Sequence, residues 1–266
     1  MMRSTLDLIK IMFNNLFNNI TPVVKNLLIL NVLFFVAQIT LPEFMGNLSL
    51  FPMVSEQFKP WQLATHFFMH GGIGHIFFNM FALVIFGMHL ERTWGAKRFL
   101  IYYIICAFGA AILHQIVLYI EINSMIDMVS SNDWKIIKNH GGDIINDIRT
   151  KSLTHGEAIE NYGIILNDKQ LNLLFTCNTP MIGASGAVFG LLAAFGYLFP
   201  NTQLMLLFPP IPIKAKYFVI GYAALELYLG FSNNPNDNVA HFAHLGGALV
   251  GILLVLYWRK NRNSFF

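Results

Sequence analysis

Charge is what this 266-residue chain has least of. Asp, Glu, Lys and Arg make up 12% of it, where a soluble domain carries about 25%. With 55% hydrophobic residues, twenty-five of them Phe, the apolar surface exceeds what one water-soluble core can hide. The same balance excludes disorder, which requires low hydrophobicity and high net charge. Cysteine is nearly absent, and two residues rule out a disulfide scaffold or a four-Cys zinc site. A formal net charge of +3 is too weak to suggest nucleic acid as a partner. There is no His-Glu-x-x-His helix, the zinc-protease pattern. His70 and His75 stand five apart, the wrong spacing for paired ligands on one helix face, so no metal is expected. No internal repeat suggests the two related halves of a transporter. What remains is a membrane protein.

A spanning helix needs about 20 mostly apolar residues. Six segments meet or approach this: 22–41, 73–90, 99–120, 181–199, 217–231 and 239–258. The expected fold is therefore an all-α, polytopic six-helix bundle. The first segment has no small-residue cleavage site and does not read as a signal peptide. Before it, Ile9, Phe13 and Phe17 recur at helical spacing and suit a membrane surface. Basic residues in short loops mark the cytoplasmic face. Lys25, Arg92, Lys97, Arg98, Lys214, Lys216 and the basic tail after residue 258 share one side, which places both termini inside. Composition changes once, at 121–178, which holds thirteen of the 31 charged residues. The chain thus divides into an N-terminal segment 1–21, three spans in 22–120 with an outer loop 42–72, an extramembrane insert 121–178, three spans in 179–258 and a tail 259–266. Two short helices, 132–150 and 155–175, are expected in the insert. Pro209, Pro210 and Pro212 stiffen an inner turn.

Polar side chains inside spans are costly and point to function by default. His75 and Asn79, four apart, share one face of the second span. The fourth span opens Gly183-Ala-Ser185-Gly186, and only 15 residues run from Ser185 to Phe199 before Pro200. That is about 22 Å of helix against a hydrocarbon thickness of about 30 Å. Ser185 is then expected at a sunken helix N-terminus, beside unpaired N–H groups. In the sixth span His244 lies about 7–8 Å in from the outer end, at the depth of Ser185 and His75. Packing by small residues and hydrogen-bonded core histidines remains an open reading of these same positions. The catalytic reading makes Ser185 a nucleophile and His244 its base. His75, Asn79 and the Ser185 N–H then stabilise an oxyanion. No acidic third member is apparent: Glu91 lies at the cytoplasmic end of its span, and a dyad results. Glu226, mid-way along the fifth span, is expected to be protonated or hydrogen-bonded inward, with a structural or gating role and with catalysis surviving Glu226→Gln. His244, Gly247 and Gly251 form a small-residue stripe facing Gly186 and Gly190, which favours His244 over His241 as the base. His241 is expected to lie one turn nearer the outer surface, satisfied by water or loop groups.

The pieces HGGIGHIFFN, LERTWGAKRF, GASGAVFG, FPPIPIKAKYF and AHFAHLGGALVG together resemble the rhomboid intramembrane serine proteases over about residues 20–120 and 179–260. The resemblance implies Ser185 as nucleophile, His244 as base and His75 with Asn79 as the oxyanion pair. Phe189 is implied to pack on the catalytic His, with Gly183, Gly186 and Gly247 in support. It implies no cofactor, a substrate that is a transmembrane helix of another protein entering near the second and fifth spans, and cleavage toward the outer face. The expected setting is the lipid bilayer of a bacterial inner membrane. Trp61-Gln62 departs from the Trp-Arg of some members, and the insert is longer than the compact loop of minimal ones. A non-catalytic relative that only binds transmembrane helices is the alternative.

Overall fold

The computed structural model describes residues 19–150, 162–164, 167–206, 210–232 and 239–260. The surface-helix expectation for Ile9–Phe17 lies outside them. In chain order the helices are α1 (Pro22–Thr40), α2 (Pro42–Gly46), α3 (Gln62–Thr65), α4 (Ile73–Ala82), α5 (Met88–Trp94), α6 (Ala96–Ile126), α7 (Ser131–Thr150), α8 (Asp168–Asn178), α9 (Ser185–Leu198), α10 (Ala215–Phe231) and α11 (His241–Lys260). A 3₁₀ turn, His66–Phe68, precedes α4, and one π-helical turn, Leu83–Gly87, joins α4 to α5 without ending the helix. Among the described residues there is also an antiparallel hairpin of β1 (Gln203–Met205) and β2 (Pro212–Lys214), where Pro212 pairs with Met205. There, Pro212 starts an edge strand, a position that needs no N–H donor.

Four helical stretches among the described residues are long and apolar enough to cross a membrane: Pro22–Thr40, Ile73–Trp94, Ala96–Ile126 and His241–Lys260. The other two expected spans are shorter helices, α9 with 14 residues and α10 with 17. The burial pattern is that of a protein dissolved in lipid. In α1 only 17% of the apolar stretch is buried, and Leu33, Val36, Ile39, Phe77 and Phe78 are all more than half exposed — the reverse of a soluble helix, which hides its apolar face. In contrast α9 is nearly all interior, buried from Gly186 to Gly196, and packs against α6, α10 and α11.

Glu91 explains how α1 is anchored. Thr21 does not cap α1 with its side chain. Instead the Glu91 carboxyl reaches across from α5 and accepts from Val23 N and Val24 N, each at 2.9 Å. Two orphan donors of the first turn are thereby satisfied by a different helix.

α6 is 31 residues long, about 46 Å, and outlasts the expected 99–120 span. Its last turns belong to the insert: Ile122 is buried with Ile137, Ile144, Ile145, Leu173 and Leu174 in a separate apolar core. The boundary drawn at 121 from composition therefore falls within a continuous helix. The first insert helix occupies Ser131–Thr150. A further helix among the described residues runs from Asp168 to Asn178, overlapping the expected 155–175, and it starts where Asn167 and Gln170 form a reciprocal capping box. Residues 155–161 lie outside the described set.

Candidate active site

The chain reaches Ser185 through extended backbone held on both sides. Leu50 and Met181 exchange N–H···O bonds of 3.0 and 2.8 Å, and Gly183 N donates to His66 O at 3.0 Å. Gly183 has φ +118°, and a Cβ on it would stand 2.7 Å from His75 Nε2 and 3.6 Å from Ser185 Oγ. Glycine is required by both the angle and the space. Ser185 then opens α9, whose N-terminus has no side-chain cap, so its first N–H groups face the site unpaired by the helix.

α11 brings His244 against this serine. His244 Nε2 lies 2.8 Å from Ser185 Oγ. The imidazole stacks on Phe189, one turn along α9, at 4.2 Å between centroids and 6° between planes. The approach is set by main chain. A Cβ at Gly247 would overlap the Gly186 carbonyl, and one at Gly251 would press on Gly190 Cα at 3.1 Å. The two glycine stripes thus face each other, and α9 and α11 touch backbone to backbone.

His244 also has an acidic partner, contrary to the two-residue reading. Glu226 Oε2 accepts from His244 Nδ1 at 2.8 Å and from His241 Nδ1 at 2.7 Å. Glu226 is 3% exposed and His241 only 7%, so His241 is satisfied by a buried carboxylate rather than by water. The sequence reading missed this because the acid sits on α10, and helical spacing says nothing about how two separate helices align. Its mid-span position was the available signal. The carboxylate oxygen and two ring nitrogens lie within 4.8 Å of one another, a donor set that could hold a divalent ion. The same atoms are engaged here by the two N–H···O bonds.

His75 stands on the opposite side of Gly183. Gly71 N donates to His75 Nδ1 at 3.2 Å, which assigns the ring proton of the neutral imidazole to Nε2. That N–H points toward the space beside Ser185. Asn79 is buried, and its Nδ2 donates to His75 O at 3.1 Å, leaving the second amide hydrogen for another acceptor. So Ser185, His244, His75, Gly183, Gly186, Phe189 and Gly247 converge, with Asn79 one turn below His75.

Two carboxamides hold the loop between α2 and α4: Gln62, marked in the sequence only as a departure from the Trp-Arg of some members, and Gln115, which the sequence did not single out. Gln62, 1% exposed, accepts from Phe51 N and Lys59 N and donates to Asn47 O and Gln57 O. All four of its hydrogen-bonding positions are used, which gives the residue in place of the family's Arg a plain structural task. Gln115 on α6 binds Met53 N and Phe51 O. Beneath the loop, burial holds the His66 and His70 rings down to about 4, and neighbouring His75 adds to the effect on His70.

The Rhomboid domain model matches residues 57–121 and 160–261. RHOMBOID-like protein 12, mitochondrial, of Arabidopsis thaliana is 27% identical over 205 residues, 76% of this chain and 48% of that protein. Rhomboid protease AarA of Providencia stuartii is 26% identical over 201 residues, 73% of this chain and 54% of that protein. The chain therefore spans about half the length of these two relatives. Rhomboid protein 1, mitochondrial, of Saccharomyces cerevisiae is 36% identical over 81 residues, 30% of this chain and 23% of that protein. Mitochondrial and bacterial proteins both stand among these relatives, so they support an integral membrane protein without supporting the bacterial inner membrane in particular. With the family matched over more than half of its length and apolar helices to carry it through a bilayer, this chain belongs to the rhomboid family.

Proposed function

We propose that the protein is an intramembrane serine endopeptidase that cuts transmembrane helices of other proteins. The observation that carries this reading is the 2.8 Å contact between His244 Nε2 and Ser185 Oγ at an uncapped helix N-terminus. His244 accepts the hydroxyl proton as Ser185 Oγ bonds to the scissile carbonyl carbon. The carbonyl oxygen becomes an oxyanion, for which Ser185 N–H, His75 Nε2–H and the Asn79 amide are the nearby donors. His244 then passes its proton to the leaving amine, and a water repeats the sequence to release the acyl group. Protein covers the non-helical backbone before Ser185 through the Leu50–Met181 and Gly183–His66 bonds, the condition for irregular chain at membrane depth. By family likeness the substrate helix enters near α4 and α10, with both termini cytoplasmic and the site toward the outer side. The insert 121–178 is an extramembrane module on that outer side.

The test is a fluorophosphonate probe together with a helical model substrate, both applied to the purified protein. Labelling and cleavage in wild type, with both lost in Ser185→Ala and insertion unchanged, are expected. Residual cleavage by Ser185→Ala above about one percent of wild type would sink the nucleophile assignment, and wild-type protein inert to the probe would favour a helix-binding relative without catalysis.

A further inference from the structure

Glu226 is a buried acid on α10, one of the two shorter expected spans, and a buried ionised carboxylate persists only with partners that satisfy it. Its partners are two imidazoles, both presenting Nδ1 to the same oxygen, at 2.8 Å from His244 and 2.7 Å from His241. A carboxylate can only accept hydrogen bonds. Each Nδ1 must therefore carry a proton, and the neutral His244 ring must leave Nε2 bare. Nε2 is the atom 2.8 Å from Ser185 Oγ, so the serine hydroxyl donates to it. The run Glu226–His244–Ser185 joins α10, α11 and α9 in one directed series of hydrogen bonds.

The surroundings support one direction of proton movement. Among the described residues the titratable groups facing Glu226 are His244 and His241 from α11 and Tyr222 one turn back on α10. α9 carries no charged residue at all. When His244 takes the serine proton its ring becomes a cation, and the acid beside Nδ1 is the charge available to balance it. His241, as a second donor, keeps the carboxylate satisfied without occupying the serine. Phe189 holds the ring from its face, which fixes its plane but not its tautomer.

We propose that Glu226 is a positioning residue for the hydrolytic reaction, holding His244 in the tautomer that can accept the Ser185 proton and balancing the imidazolium that results. This inference rests on the Ser185–His244 reading given above.

The experiment uses the full chain in bilayer vesicles with a helical model substrate. Glu226→Gln is expected to lower kcat by about 10²–10⁴-fold, the range for removing the acid behind a catalytic His. The Michaelis constant should stay within about threefold, and Glu226→Asp should recover part of the loss. Because an amide can donate as well as accept, the pH profile of the residual activity should also shift. A second measurement does not depend on a variant folding. Nitrogen-15 NMR of histidine-labelled wild type should show His244 protonated at Nδ1 and bare at Nε2. Ser185-dependent labelling and cleavage that survive undiminished in Glu226→Gln would overturn this inference alone, as would a wild-type His244 protonated at Nε2. Wild-type protein without Ser185-dependent labelling would overturn the protease reading, and this inference with it.

Discussion

His75 stands beside Gly183, with Asn79 one turn further along α4, and their donors are arranged differently. Among the described residues no hydrogen bond occupies His75 Nε2–H, whereas Asn79 already gives one hydrogen to the His75 carbonyl. Loss of an oxyanion donor lowers kcat by about 10²–10³-fold. We therefore expect His75→Ala and Asn79→Ala to reduce kcat with little change in the Michaelis constant, the His75 variant more severely. Effects confined to the Michaelis constant would make the pair a substrate-binding device. The sequence disclosed these residues through shared depth: a serine at a helix start and two histidines and an asparagine near the same end of their spans. It did not disclose which histidine nitrogen carries the proton. That is set by Gly71 and Glu226, whose approach depends on a loop and on a third helix. Two further imidazoles, His66 and His70, lie outside the spans and are held down to about 4, first by burial. In an unfolded chain each titrates near 6.5. Above about pH 6.5 neither state binds the extra proton. Between there and about pH 4 the unfolded chain binds more, so stability drops as the pH is lowered, by at most about 1.4 kcal/mol per pH unit for each ring. A thermal midpoint flat above about pH 7 and falling on acidification is expected; one that rises would contradict the burial of these rings.

Among the elements, the junction of α1 with α5 shows how an acid can look functional and be structural. Glu91 sits on α5, and its two hydrogen bonds end on the first turn of α1. Truncating it leaves two buried donors open. Hydrogen bonds to a charged group are worth about 1.5–3 kcal/mol each and helix caps about 0.5–2. Glu91→Ala should therefore lower stability by about 2–4 kcal/mol, read as an earlier unfolding midpoint in detergent. Fluorophosphonate labelling below that midpoint should be unchanged; a loss of labelling without a loss of stability would relocate Glu91 to the catalytic machinery. Hydropathy revealed the apolar segments but misjudged their ends, because ends depend on capping and packing. Ser185 starts α9 where extended chain pinned by His66 and Leu50 gives way to helix. α6 overruns its apolar stretch because Ile122 has a core to enter. The π turn at Leu83–Gly87 left no trace in composition.

At the scale of the whole molecule, the described residues of the insert pack in an apolar core apart from that of the main bundle. The main bundle exposes apolar helix faces as a lipid-dissolved protein must, whereas the insert gathers its own buried core around Ile137, Ile144 and Leu173. Cys177 belongs to that second core, 2% exposed, and burial pushes its thiol up to about 12. It should resist a soluble maleimide in the folded protein and react once the insert opens, which makes it a reporter of that module's own unfolding. Composition marked the insert as different, and its low apolar content concealed how well it packs.

The main-chain contact between α9 and α11 has a further consequence. Where side chains set the separation of two helices, a change of rotamer can retune it. Here Gly186–Gly247 and Gly190–Gly251 meet main chain to main chain, with the Tyr102 hydroxyl bonded to Gly190 O beside Gly251, so the serine and its histidine ride on one strut. A thinner or thicker bilayer tilts helices to relieve mismatch, and this strut must tilt as a unit. On the proposed protease reading, chemistry is then insulated from the host membrane, while delivery of a substrate helix is not. Across vesicles of graded acyl-chain length, the rate of labelling by a small soluble probe should stay level as cleavage of a helical substrate rises and falls. The catalyst would be indifferent to the solvent it lives in; only its supply line would feel the thickness.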